Sequence, residues 1–235
     1  MKSELPKVLV EACGRPIIDY VLDALRDAGV ERIAVVVGYR AADVKTALAN
    51  RSNVTFVLQE EQLGTGHAVM CARDVQADHD GAVLVVTGDS PMMQADSLRA
   101  LLDEFQRARP ACLMGTAVKA EPGSLGRIVR DADGTFLRIV EAKDATPAEL
   151  KIQEVNMSCY VFDNRELLHA LAQLRPDNRQ GEYYVTDCPG ILKREGKDVR
   201  ALAVLKPVES LSVNTVDDLA VVEDALRGLP DELSI

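Results

Sequence analysis

Apolar residues recur along the chain in two rhythms, and the way these alternate predicts the architecture. Ile17, Ile18, Val21, Leu22 and Leu25 stand at helical spacing behind Arg15-Pro16, with Pro in the first turn and Gly29 as the stop. Unbroken runs rich in β-branched residues at 32–37 and 54–59 predict strands, with a short helix between them over 42–49. The densest run, Ala82-Val83-Leu84-Val85-Val86, shows no alternation and predicts a strand buried on both faces. A helix over 97–107 and a strand over 112–118 follow. Asp133-Gly134 between two alternating runs predicts a β-hairpin laid over the sheet as a lid-like excursion. Beyond it the pattern predicts a strand over 153–163, a helix over 166–174, a helix entered through 182–187 and a strand over 199–205. A short strand at 212–214 and a closing helix over 216–227, capped by Asn214 or Thr215, complete the chain. The segment from Met1 to Leu9 reads as extended.

Strand and helix alternate through the first half, which implies βαβ units. The expected fold is α/β: a Rossmann-like, mixed but mainly parallel sheet flanked by helices, with an antiparallel hairpin excursion. No repeat, low-complexity tract or linker interrupts the pattern, so one domain over 1–235 is expected.

Composition narrows the function. A net charge of −10 lacks the basic footprint of a nucleic-acid-coating surface. Aromatic residues make up only 4% of the chain and Trp is absent, so aliphatic side chains must fill the core. The five cysteines form no CxxC pair, and they read as buried small hydrophobes in a reducing compartment rather than as a disulfide or zinc framework. No apolar run reaches membrane-spanning length and no leader pattern is seen, so a cytoplasmic protein is expected.

Two places carry candidate chemistry. The run 82–86 ends in Thr87-Gly88-Asp89-Ser90-Pro91, so Asp89 is the first charged group past the carboxyl end of a strand. Ligands collect at such ends, and a carboxylate there suits a divalent cation. Equally, Asp89 is placed to cap the helix that begins near Gln94. In Gln62-Leu63-Gly64-Thr65-Gly66-His67-Ala68, paired glycines at a helix start would let backbone N–H groups approach a ligand, or would make a plain turn with Thr65 as N-cap. His67 reads as a packed helix residue.

Taken in order, Leu5-Pro6-Lys7-Val8-Leu9, the 62–68 segment, Gly88-Asp89-Ser90-Pro91, Gly126-Arg127-Ile128, Val140-Glu141-Ala142-Lys143-Asp144-Ala145 and Gly181-Glu182-Tyr183-Tyr184-Val185-Thr186-Asp187 form a series. The series resembles the uridylyltransferase domain of N-acetylglucosamine-1-phosphate uridylyltransferases, in the sugar-nucleotidyltransferase superfamily. The resemblance implies Mg²⁺-dependent transfer of a uridylyl group from UTP to N-acetylglucosamine 1-phosphate, which supplies an activated amino sugar for envelope polymers. It implies Asp89 and Asn214 as metal ligands, with Lys7 and Asp89 catalytic. It implies Lys7, Gln59, Gly64, Thr65, Thr87 and Gly88 on the nucleotide, with Gln59 reading the uracil edge. It implies Gly126, Glu141, Asn156 and Asn214 on the sugar, with Glu182 and Thr186 as neighbours. The nucleotide part would span about 1–118 and the sugar part 119–235. The partners implied are these two small molecules, with no nucleic acid or membrane, and a homo-oligomer as an open state.

The chain departs from that family in three places. Members open with a buried strand and a loop of the form Leu-Ala-Ala-Gly-x-Gly-Thr-Arg-Met, of which Met1 matches the last residue. The expected consequence is an open slot in the sheet and a weakened hold on phosphate. An upstream start, with Met1 an internal methionine, accounts best for the persistence of every later motif. A short form that binds without turnover, or a partner chain filling the slot, are the alternatives. Asn156-Met157-Ser158 stands where the family has a small residue and Gly after the Asn. No hexapeptide repeats are present, so the acetyltransferase β-helix of bifunctional relatives is not expected. The competing functions are a non-catalytic sugar-nucleotide-binding protein and a nucleotidyltransferase for another sugar 1-phosphate.

Overall fold

The computed structural model describes residues 5–228, and the extended reading of Met1 to Glu4 lies outside the described residues. Lys7–Leu9, expected to be extended, forms a single 3₁₀ turn closed by Val10 N–H on the Lys7 carbonyl. β1 (Glu11–Ala12) pairs with β2 (Arg15–Pro16) and turns the chain into α1 (Ile17–Asp27). Pro16 therefore precedes the first helical turn as its N-cap, and does not stand inside it. β3 (Ile33–Val37), α2 (Ala41–Ala47) and β4 (Val54–Leu58) follow, with β3 and β4 parallel. Then come α3 (Thr65–Cys71), α4 (Arg73–Gln76), β5 (Ala82–Val85), α5 (Ala95–Ala108) and β6 (Cys112–Val118). The Asp133-Gly134 turn joins β7 (Arg127–Arg130) to β8 (Phe136–Val140) as an antiparallel hairpin. β9 (Glu154–Asp163), α6 (Asn164–Leu171), α7 (Cys188–Arg194), β10 (Val199–Ala203) and α8 (Val216–Arg227) complete the order. No strand forms at 212–214; the segment makes one backbone bond to the Asp89 carbonyl, from Val213 N–H at 3.4 Å.

The larger sheet runs β10-β6-β9-β7-β8, with β5 on the free side of β9. β9 is antiparallel to both β5 and β6, and β10 is parallel to β6. Thus β5, β6 and β10 point one way, and β9 is inserted against them. The sheet is mixed and flanked by helices, as expected, but not mainly parallel: among the described residues only β10–β6 and β3–β4 pair in parallel, because β9 enters between β5 and β6 in the opposite direction and the β7–β8 hairpin adds to its edge.

β5 departs from its expected burial. Ala82 and Leu84 join one core, with Ile18, Val21 and Leu22 of α1 and Leu98 and Leu101 of α5; Val83 and Val85 join the opposite one, with Phe136, Tyr160, Phe162 and Leu167. Both faces are covered, yet all four residues remain half-buried. The reason is lateral: among the described residues β5 pairs with β9 alone, and β3 with β4 alone. Among the described residues the sheet falls into two pieces over a shared layer of helices. Each large α1 side chain removed from water contributes about 1.5–3 kcal/mol, so that layer has ample hydrophobic energy to hold both pieces.

A third, smaller core joins Ala12, Ile17 and Met92 to Val213 and Val222. It brings the end of the chain back to its beginning. Of the cysteines, Cys112, Cys159 and Cys188 are buried as expected, with burial pushing the Cys159 and Cys188 thiols up to about 12, whereas Cys13 is exposed.

Candidate functional site

Three distant stretches meet beyond the carboxyl end of β5. Val213 is fully buried in the third core, and the residue after it, Asn214, faces outward. Gly88 lies where an added Cβ would be 3.5 Å from Val8 Cγ1, so the strand end and the Lys7–Leu9 turn sit side by side. As a result the Lys7 ammonium donates both to Asp89 Oδ2 and, at 2.6 Å, to Asn214 Oδ1. A carboxylate and an amide oxygen converge on one positive charge. Such a pair of hard oxygens fits a divalent cation whose remaining positions are filled by phosphate and water. Among the described residues no group of three or more His, Cys, Asp or Glu side chains could hold a metal without such help.

Asp89 does not cap the following helix. The N-cap is Gln94, and the start of the helix is held in place by Glu209, a buried carboxylate on the 207–210 turn, which sequence reasoning passes over. Glu209 Oε1 accepts from Gln94 N at 2.8 Å, and Oε2 accepts from Ser97 Oγ at 2.8 Å and from Lys206 N at 2.6 Å. Burial pushes its carboxyl upward, against the pull of these donors. The signal in the sequence is Pro207 opening a turn with Glu two positions later, a capping pattern. Glu209 ties the turn leading to Asn214 onto the helix that follows Asp89. Thr87 closes the intervening loop, its Oγ1 lying 3.0 Å from Ser90 Oγ.

The 62–68 segment is not the plain turn capped by Thr65. Gly64, not Thr65, is the N-cap of α3. Gly64 has φ +102, and an added Cβ would lie 2.5 Å from Tyr183 O and 2.9 Å from Glu182 Cβ. Gly66 N–H donates to Tyr183 O at 2.7 Å, Tyr183 N–H to Leu63 O at 2.8 Å, and Val185 N–H to Thr65 Oγ1 at 3.2 Å. The glycines are required by a seam between residues 63–66 and 182–185. Gln59, at the end of β4, is anchored by its N–H on the Val37 carbonyl at 2.8 Å.

Gly126, Glu141 and Asn156 also come together. An added Cβ on Gly126 would lie 3.5 Å from Glu141 Oε1 and 3.6 Å from Asn156 Cβ, and Asn156 N–H donates to Gly126 O at 2.8 Å. Tyr160 Oη donates to Asn156 Oδ1 at 2.9 Å. Burial raises the Glu141 carboxyl, Lys143 lowers it, and Asp144 and Asp187 raise it. Asp187 is itself raised by burial. Ser158 takes φ +51, a left-handed conformation, at the place where β9 shifts register against Gly115/Thr116 of β6. The 156–158 segment thus carries left-handed backbone at a residue other than glycine, two positions from Asn156. Glu182 packs against Gly64, and Thr186 lies within the 185–187 turn.

The chain as a whole is similar to known proteins. Residues 1–187 match the family of MobA-like NTP transferase domains. The bifunctional protein GlmU of Clostridium novyi (strain NT) is 43% identical over 227 residues, 97% of this chain and 49% of that protein. The bifunctional protein GlmU of Lactobacillus delbrueckii subsp. bulgaricus (strain ATCC 11842) is 45% identical over 223 residues, 95% of this chain and 48% of that protein. The chain spans about half the length of the curated relatives it matches. A UDP-glucose pyrophosphorylase complexed with UDP-glucose superposes with a TM-score of 0.71 at 14% identity, over 95% of this chain and 90% of that one, a likeness of fold.

Proposed function

Because the chain belongs to the family of MobA-like NTP transferase domains, we propose that it transfers a uridylyl group from UTP to N-acetylglucosamine 1-phosphate, releasing pyrophosphate. The observation that carries this reading is the convergence of Lys7, Asp89 and Asn214 on one point beyond β5, together with the gathering of Gly126, Glu141 and Asn156. One cluster suits phosphates and a cation, the other suits hydroxyl and amide groups.

An oxygen of the sugar phosphate attacks the α-phosphorus of UTP in line. A new P–O bond forms as the bond from that phosphorus to the bridging oxygen breaks, and pyrophosphate leaves. Phosphoryl chemistry of this kind is positioning and charge neutralisation, with no covalent protein intermediate. Asp89 and Asn214 would hold Mg²⁺, which would supply positive charge to the phosphate oxygens. Lys7 adds a mobile point charge on the same side. Gln59, Gly64, Thr65, Thr87 and Gly88 hold the nucleotide. Gly126, Glu141 and Asn156 hold the sugar, where Glu141 accepts from hydroxyls and the Gly126 backbone approaches closely.

The test is pyrophosphate release with UTP, N-acetylglucosamine 1-phosphate and Mg²⁺. Release that requires all three, and falls when glucose 1-phosphate or dTTP is substituted, is the expected result. Equal rates with dTTP would overturn the uridine assignment. A second reading, a sugar-nucleotide-binding protein without turnover, is separated by the same assay. It predicts that UDP-N-acetylglucosamine raises the melting temperature while no pyrophosphate appears.

A further inference from the structure

Gln59 is nine-tenths buried, and its amide group makes two side-chain contacts that together determine its orientation. Nε2 lies 3.1 Å from the Gly64 carbonyl oxygen and 3.1 Å from His67 Nδ1. The Gly64 oxygen can only accept, so the amide nitrogen must occupy this place, whichever way an amide is first drawn. Its second N–H is then aimed at His67 Nδ1, which must be the accepting nitrogen of a neutral ring. The proton of His67 sits on Nε2, 3.9 Å from Cys71 Sγ. The ring is held in place by Tyr183, at 6.3 Å between centroids. With both N–H groups committed, Gln59 presents only Oε1, which has no protein partner among the described residues.

We propose that His67 is a specificity-determining positioning residue: by accepting from Gln59 through Nδ1, it locks the Gln59 oxygen outward and restricts the site to a base with an imide N–H. Uracil satisfies this with its N3–H. Cytosine presents an acceptor at N3 and would face oxygen with lone pair against lone pair. The Gly64 carbonyl alone holds the amide with one bond, and His67 supplies the second. The inference rests on the reading of this loop as the nucleotide site.

The experiment is calorimetric titration of UDP and CDP into the protein, its His67→Leu variant and its His67→Asn variant, with melting temperatures alongside. Asn can place its Oδ1 where Nδ1 stood, whereas Leu keeps the bulk and offers no acceptor. Wild type is expected to prefer UDP. His67→Leu should lose about fivefold of that preference, the worth of one neutral hydrogen bond, and His67→Asn should recover most of it. No UDP preference in wild type, a His67→Leu variant that keeps it, or a His67→Asn variant as impaired as Leu at an unchanged melting temperature would each overturn the proposal. If the variants unfold, ¹⁵N NMR of the wild-type ring decides: a proton found on Nδ1 at neutral pH refutes the lock. Pyrophosphate release measured on the same wild-type sample separates this outcome from the parent reading, since UDP preference without turnover leaves the lock standing and removes the transferase.

Discussion

Gly64→Ala should be far more damaging than an ordinary glycine substitution, and a second glycine measures the excess. At φ +102 and ψ 177 Gly64 stands in an extended region essentially reserved for glycine, where an L side chain costs roughly 1–3 kcal/mol. Ala also narrows the unfolded ensemble, which offsets about 0.4–1 kcal/mol. Gly134, at φ +80 in the hairpin turn with nothing within 4 Å of its Cβ position, carries only left-handed strain, roughly 1–2 kcal/mol, and the same offset. Gly134→Ala should therefore cost about 1 kcal/mol or less. At Gly64 the added methyl meets the Tyr183 carbonyl oxygen at 2.5 Å and the Tyr183 nitrogen at 3.1 Å, which are backbone atoms with little freedom to move. Forcing a methyl into a packed contact costs typically 1–3 kcal/mol more. The seam opens at the bonds from Gly66 and Tyr183, so nucleotide binding and sugar-phosphate binding should weaken together. Urea denaturation of both variants, with calorimetric titration of UTP, reads the two effects. If Gly64→Ala is no less stable than Gly134→Ala and binds UTP normally, then the seam does not require glycine and the account of this loop is wrong.

Asp89→Asn should lower pyrophosphate release on the order of 10²–10³-fold and abolish Mn²⁺ binding seen by electron paramagnetic resonance, because the one carboxylate of the converging pair is removed; retained Mn²⁺ binding would place the metal elsewhere. Away from the site, Asp23 is pushed up by burial but pulled down further by Arg15, Arg51 and Arg26, so its folded pKa lies below its unfolded one. Its contribution is present above the unfolded value and disappears as pH falls through the folded one, so stability to urea should drop below about pH 4. Asp23→Asn should flatten that limb, and an unchanged acid limb would show that the arginine cluster is not its source.

The sequence by itself determined whatever depends on neighbours within a few positions. The stripe Ile17–Leu25 specifies a helix because residues three and four apart share a face, and Asp133-Gly134 specifies a hairpin because its turn needs positive φ. The order of the short motifs was legible too, since each retains its residues around one chemical group. The distant pairings were not. Lys7 meets Asn214 across 207 positions only because Val213 and Val222 bury against Ala12 and Ile17. Tyr183 selects Gly64 and Gly66 from the far side of the chain. Five apolar residues ending at Val86 promise a buried strand, but burial also needs a neighbour on each edge, and among the described residues β5 has one. His67, which a helical pattern treats as packing, acquires a chemical meaning once Gly64 O and Gln59 Nε2 stand beside it. Local periodicity says which face a residue turns inward. Only tertiary structure decides what it meets there, because hydrogen bonds between distant segments become worth making only after hydrophobic burial has already brought those segments together.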